Sequence, residues 1–256
     1  MIDAAGGRTW LIRHGQSESN AGRPTDGPGA APLTPLGRAQ AERVAAAFTE
    51  PPALIVSSPF VRARETAAPT RERFPEAPYE EWPVQEFTYL GKLHAPGTTN
   101  HDRVPHALAY WERCDPAYVH GGNGESFKEL IARTRDLVGR LTGRTEGGLV
   151  AVFTHGLFMR ALIWSLSTGV TDPDAAEMRM FRHFMRAYAV PNGAIVELRA
   201  DPSAPDGIRQ VMGSFTHLMT GPDPAMTLTD EPSPDTPTAA SADRGPNDSQ
   251  GAAAPS

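Results

Sequence analysis

A chain of 256 residues, 39% of them apolar, suits one large domain or two small ones, with enough length to bury a core. Its net charge of −6 is local: residues 221–256 hold six acidic side chains and one basic, which leaves a near-neutral body and no nucleic-acid partner in prospect. One cysteine, Cys114, excludes a disulfide scaffold; with no leader-like N-terminus and no apolar run of the ~18 residues that span a bilayer, a cytoplasmic protein without a membrane partner is expected.

In chain order, an apolar strand is expected over 9–12, within TWLIRHG, followed by a Gly/Pro-rich loop over 21–32. A helix opens in LTPLGRAQAERVAAAF, with Thr34 as N-cap and Pro35 at the first helical position. ALIVSS gives a short strand at 53–58, and Pro59 starts a second helix through FVRARETA. A third strand is placed near 79–82, with Glu80 and Glu81 on its exposed side. Residues 87–123 read as an irregular insertion or lid, with a helix near 104–113. ESFKELIARTRDLVGRL carries Phe127, Leu130, Ile131, Leu137, Val138 and Leu141 at helical spacing. LVAVF, residues 149–153, is the most apolar strand and runs into THG and the helix LFMRALIWSL; strands at AIVEL and IRQVMGSF close the body. Alternating strands and helices predict an α/β fold, a three-layer α/β/α sandwich with a mostly parallel central sheet. The domain is placed at 1–220, and the Pro/Ala/Asp-rich segment 221–256 is expected to be a disordered tail.

Ligands of open α/β sheets bind beyond the carboxyl ends of the strands. The first strand delivers Arg13 and His14 to that edge. The second runs into a helix whose first turn carries Arg62, and LVAVF delivers His155, followed by Gly156. Each has a plainer reading alone, a hydrogen-bonded structural histidine or a solvated helix arginine. Their agreement in position points to a compact cationic pocket that calls for no metal. Arg64, two positions beyond Arg62, is left to the surface.

LIRHGQSESN, SSPFVRARETA and VFTHGLFMRAL resemble the three signature segments of the histidine phosphatase superfamily, with its phosphoglycerate-mutase-like fold, over roughly residues 8–200. The resemblance implies phosphate-monoester chemistry without a cofactor, with His14 as the phosphorylated nucleophile and Arg13, Arg62 and His155 around the phosphoryl oxygens. These residue types suit such chemistry, because guanidinium groups bind two phosphate oxygens at once and a neutral imidazole supplies the attacking lone pair. Helix starts expected after Asn20, Pro59 and His155 would add partial positive charge, and Gly15 would let the backbone turn sharply and approach closely. The resemblance further brings Asn20 and Thr34 near the phosphate, although the helix cap alone explains Thr34. Gln16 lies in the same loop as a candidate substrate contact.

In this family a glutamate between the second and third signatures protonates the leaving group. Glu86 in VQEFTYLGKL is the candidate, though Leu90 separates the aromatic from Gly91 and no Trp-Glu-Gly follows. Glu125 in GNGESF is the rival; its structural alternative is charge stabilisation of a helix start.

The expected activity is thus metal-independent hydrolysis of a small organic phosphate ester. A phosphoglycerate-mutase-type transferase is the alternative. Against it, Ser19 stands where such enzymes commonly carry Trp, and 90–123 holds no adjacent arginine pair. A non-catalytic phosphate-binding module would have lost the nucleophile or a clamp residue. A zinc hydrolase would have to use His94, His101, His106, His120 and Cys114, whose spacings match no zinc pattern. Lys92 and Arg103 could recognise a second anionic group on the substrate, although exposed cations are usually just solvated.

Overall fold

The computed structural model describes residues 7–93, 96–144, 147–214 and 216–218; His94 and the segment 221–256, expected to be disordered, lie outside them. Strand β1 (Arg8–Arg13) leads through helix α1 (Pro35–Ala47) to β2 (Leu54–Ser57), and α2 (Val61–Arg73) leads to β3 (Tyr79–Glu81). Helices α3 (Asn100–Arg113) and α4 (Phe127–Thr142) precede β4 (Leu149–Thr154). Then follow α5 (Gly156–Thr168), α6 (Ala175–Ala187), β5 (Ile195–Ala200) and β6 (Ile208–Ser214). The sheet order is β3-β2-β4-β1-β5-β6; the first four are parallel, and β5 and β6 complete the sheet antiparallel. This is the expected α/β architecture.

Period-2 alternation sorts the strand residues into two cores. Val150 and Val152 of β4 join Leu11, Leu54, Val56 and Val196 beneath α3, α4, α5 and α6. Leu149, Ala151 and Phe153 join Ile12, Ile55, Val44 and Phe48 beneath α1 and α2. β4 is therefore buried along its whole length, which explains why it reads as an unbroken apolar run. The chain winds outward from β1 to β3 with helices on one face, then returns to insert β4 between β2 and β1 with helices on the other. That reversal sets a crevice at the carboxyl ends of β1 and β4.

Local details differ from expectation for identifiable reasons. The helix after β2 begins at Val61 rather than Pro59, because Ser58 Oγ accepts the Phe60 N–H at 3.2 Å and holds a bend there. α3 begins four residues earlier than 104, where Thr99 and Asp102 form a capping box. No helix follows Asn20; residues 18–22 form turns. α6 is an element that the sequence pattern does not announce. Asp174 and Glu177 cap it reciprocally, and Met178, Phe181 and Met185 bury its inner face.

An aromatic cluster ties the insertion to the body. Phe87 and Tyr89 stack at 5.0 Å, Tyr89 meets Tyr110 of α3 at 4.7 Å, and Phe127 of α4 meets Phe181 of α6 at 4.9 Å. Such pairs contribute about 0.5–1.5 kcal/mol each beyond the area they bury, so the segment beginning at Glu86 is firmly anchored. No helix among the described residues is long and apolar enough to cross a membrane.

Candidate active site

The three parallel strand tips meet at one point. His14 follows β1, and its N–H donates to Thr154 O at the end of β4 at 3.0 Å. Its ring Nδ1 lies 2.7 Å from Gly15 O, and its Nε2 lies 3.1 Å from Arg62 Nε. A guanidinium nitrogen only donates, so Nε2 must carry the lone pair and Nδ1 the proton, which goes to the Gly15 carbonyl. Both bonds select the same neutral tautomer. Burial, then the charges of Arg62 and Arg13, hold the His14 pKa well below its usual value, and the Gly15 carbonyl opposes them only in part.

His155 caps α5 and is fully buried, its ring centroid 5.0 Å from that of His14. Its Nε2 lies 2.8 Å from Ser58 Oγ, and its buried Nδ1 has no hydrogen-bond partner among the described residues. Burial, followed by Arg62 and His14, keeps this imidazole neutral too. Arg13 is 1% exposed and donates to Val190 O; Arg62 donates to Pro28 O at 2.9 Å. Two cations and two neutral histidines thus share one buried centre.

Arg62 forms part of the wall of a cleft of about 790 Å³, counting its open mouth. Asn20, Glu86 and Leu157 line it as well, with Phe60, Tyr89 and Arg103. The Glu86 carboxylate accepts backbone N–H bonds from Phe87, Leu157 and Phe158 at 2.9–3.2 Å. The N-terminal donors of α5, expected to face an anion, are thereby occupied by this side chain. Asn20 Oδ1 accepts from Ser17 and from Asn192 and braces the loop after β1.

Other predicted residues serve this frame from outside the cleft. Thr34 caps α1 through Gly37 N–H and donates to Gln16 Oε1 at 2.8 Å; neither Thr34 nor Gln16 lines the cleft. Gly15 is needed for close approach rather than for an unusual turn. A Cβ there would sit 2.3 Å from Gly37 O, and one on Gly37 would sit 2.0 Å from Gln16 O. Gly156 is the buried first residue of α5. Glu125 precedes the N-cap Ser126 instead of lying in the first turn of α4, and it is absent from the cleft wall. It forms a bidentate ion pair with Arg133 at 2.6 and 2.9 Å, and Arg133 also donates to the carbonyls of Pro83 and Gln85. That pair holds the segment leading into Glu86.

Residues that the sequence does not single out complete the site. Asn192 donates to His14 O at 3.0 Å and to Asn20 Oδ1 at 3.2 Å, and Gly193 N–H donates to Arg13 O and His14 O. Ser58 and Thr66, whose hydroxyl accepts the Gly15 N–H at 3.0 Å, both lie within SSPFVRARETA. The Asn-Gly pair before β5 is a visible turn signal, although nothing local ties it to His14. Among the described residues no group of three or more His, Cys, Asp or Glu side chains could hold a metal ion. His106 and His120 stand with ring centroids 6.2 Å apart.

A neutral histidine pair beside two buried arginines, at the carboxyl edge of a doubly wound sheet, forms a compact cationic centre. Residues 9–205 match the model of the histidine phosphatase superfamily, branch 1, and the chain belongs to that family. It is 28% identical to a metal-independent phosphoserine phosphatase of Arabidopsis thaliana over 156 residues, 59% of this chain, and spans 65% of that relative's length. It is 34% identical to a glucosyl-3-phosphoglycerate phosphatase of Mycobacterium tuberculosis (strain H37Rv) over 165 residues, 60% of this chain and 73% of the relative. The native structure of mycobacterial glucosyl-3-phosphoglycerate phosphatase superposes with a TM-score of 0.59 at 27% identity, covering 80% of this chain and 97% of that one. These relatives are phosphatases.

Proposed function

We propose that the protein hydrolyses a small organic phosphate monoester, without a metal, through a phosphohistidine on His14. The observation that supports this reading best is the fixed tautomer of His14, whose Nε2 lone pair accepts from Arg62, a residue of the cleft wall, although His14 itself does not line the cleft. The Nε2 lone pair attacks phosphorus, the P–O bond to the alcohol breaks, and the Glu86 carboxyl proton passes to the departing oxygen. Water then attacks the phosphorus with Glu86 as base, the P–N bond breaks, and inorganic phosphate leaves a neutral His14. Arg13 and Arg62 balance charge on the equatorial oxygens as it spreads in each transition state. His155 contributes through Nδ1 in the tautomer whose Nε2 accepts from the Ser58 hydroxyl: Nδ1 then carries a proton for a phosphoryl oxygen.

The test is turnover of p-nitrophenyl phosphate in EDTA by the wild type and His14→Ala. Turnover that persists in chelator and falls by about 10³-fold or more in the variant is expected. Activity lost in chelator, or equal activity in His14→Ala, would overturn the proposal.

A further inference from the structure

The cleft contains a cation that the reaction at phosphorus does not use. Arg103, on the first two turns of α3, lines the same cleft as Arg62 and is 4% exposed. Buried charges are ordinarily paired with opposite charge, because desolvation of an isolated ion is costly. Arg133, also largely buried, meets the Glu125 carboxylate in this way. Arg103 instead donates to neutral oxygens, Nη1 to Thr98 Oγ1 at 2.7 Å and Nη2 to Asn100 Oδ1 at 2.6 Å. The adjacent carboxylate, Asp102, is exposed and committed to the Thr99 cap.

Those two acceptors fix the guanidinium plane and leave its remaining N–H donors unassigned. The arrangement is braced from across the cleft. Asn100 Nδ2 donates to Ser19 O at 2.9 Å, so the loop that follows His14 and the helix that carries Arg103 are tied together. Thr98 O likewise accepts the Thr25 N–H at 3.2 Å. A buried, oriented arginine beside a phosphate pocket, hydrogen-bonded to neutral oxygens and with Asp102 acting on it from an exposed cap, is placed to receive a second anion.

We infer that Arg103 is a specificity residue that binds a carboxylate on the organic part of the substrate, which makes the preferred ester the phosphate of a hydroxy acid. The inference rests on the phosphatase reading above. One guanidinium with neutral neighbours matches the single charge and planar fork of a carboxylate. A second phosphate dianion would leave one charge unmatched.

The experiment compares 3-phosphoglycerate with glycerol 3-phosphate, two three-carbon esters that differ in carrying a carboxylate or a hydroxymethyl group. The wild type is expected to prefer the carboxylate ester by about 10- to 100-fold in kcat/KM, the range for a charge-assisted hydrogen-bonded pair. In Arg103→Met that ratio falls towards one through KM, and Arg103→Lys restores part of it. Asn100→Ala, which removes one oxygen that orients the guanidinium, gives an intermediate ratio and serves if Arg103→Met does not fold. A wild-type ratio near one, or a high ratio unchanged in the Arg103 and Asn100 variants, would overturn the inference and leave the phosphatase reading intact. Absence of turnover on both esters and on p-nitrophenyl phosphate would strike the phosphatase reading itself, and this inference with it.

Discussion

Lowering the pH should destabilise this fold through its two buried histidines, and the size of the effect follows from their environment. His14 and His155 are both held neutral, chiefly by burial and then by the neighbouring arginines. In the unfolded chain each titrates near 6.5, so below that pH the unfolded state binds more protons than the folded one. Stability is therefore fully present above about pH 6.5 and is lost as pH falls from there towards the depressed folded values. Each group can cost at most about 1.4 kcal/mol per pH unit in that window, so the pair costs up to about 3 kcal/mol between pH 7.5 and 5.5. Urea unfolding at pH 7.5, 6.5 and 5.5 measures the slope in the wild type and in a His14→Asn/His155→Gln double variant. Carboxylates and the exposed histidines contribute alike to both proteins, so the difference in slope isolates the pair. Equal slopes would refute the claim that these imidazoles are neutral in the fold.

Glu86→Gln keeps an amide oxygen to accept the Leu157 and Phe158 N–H groups but removes the transferable proton. Turnover of an alkyl phosphate should fall by about 10²- to 10⁴-fold and that of p-nitrophenyl phosphate by less than tenfold, since nitrophenolate leaves without a proton; equal losses would remove Glu86 as the acid. Gly15→Ala drives a methyl to 2.3 Å from the backbone oxygen of Gly37, which has no side-chain freedom with which to yield. A loss of about 3 kcal/mol is expected in chemical unfolding, and a neutral substitution would show that the contact is not tight.

What is legible in the sequence is whatever the chain writes locally. The apolar run of β4, the Thr34-Pro35 helix start and the three strand tips bearing Arg13-His14, Arg62 and His155 each lie within a few residues of their own signal. Side chains that meet across the sequence are not legible. Asn192 reaches His14 from 178 residues away, and its Asn-Gly context announces only a turn. The sequence suggests a conformational device at Gly15, yet its constraint is the backbone of Gly37, and that contact exists only after α1 has docked. Glu125 resembles helix-start charge because Arg133, its partner, stands two turns along α4 and turns back towards it. α6 is hidden although Asp174 and Glu177 sit at capping-box spacing, since the basic outer face of AAEMRMFRHFMRA obscures the buried stripe of Met178, Phe181 and Met185.

The bond from Arg62 Nε to His14 Nε2 has a consequence for selectivity in time as well as in space. In the resting molecule the nitrogen proposed to attack is masked by the group proposed to grip the substrate. If those proposals hold, a phosphate monoester would draw the guanidinium to its own oxygens and so uncover the lone pair in the same movement that seats the electrophile. A neutral electrophile of the same size would offer no such exchange and would meet a nitrogen that is still covered. The pocket would then arm itself only for the charge it handles, with a single arginine as both safety catch and grip.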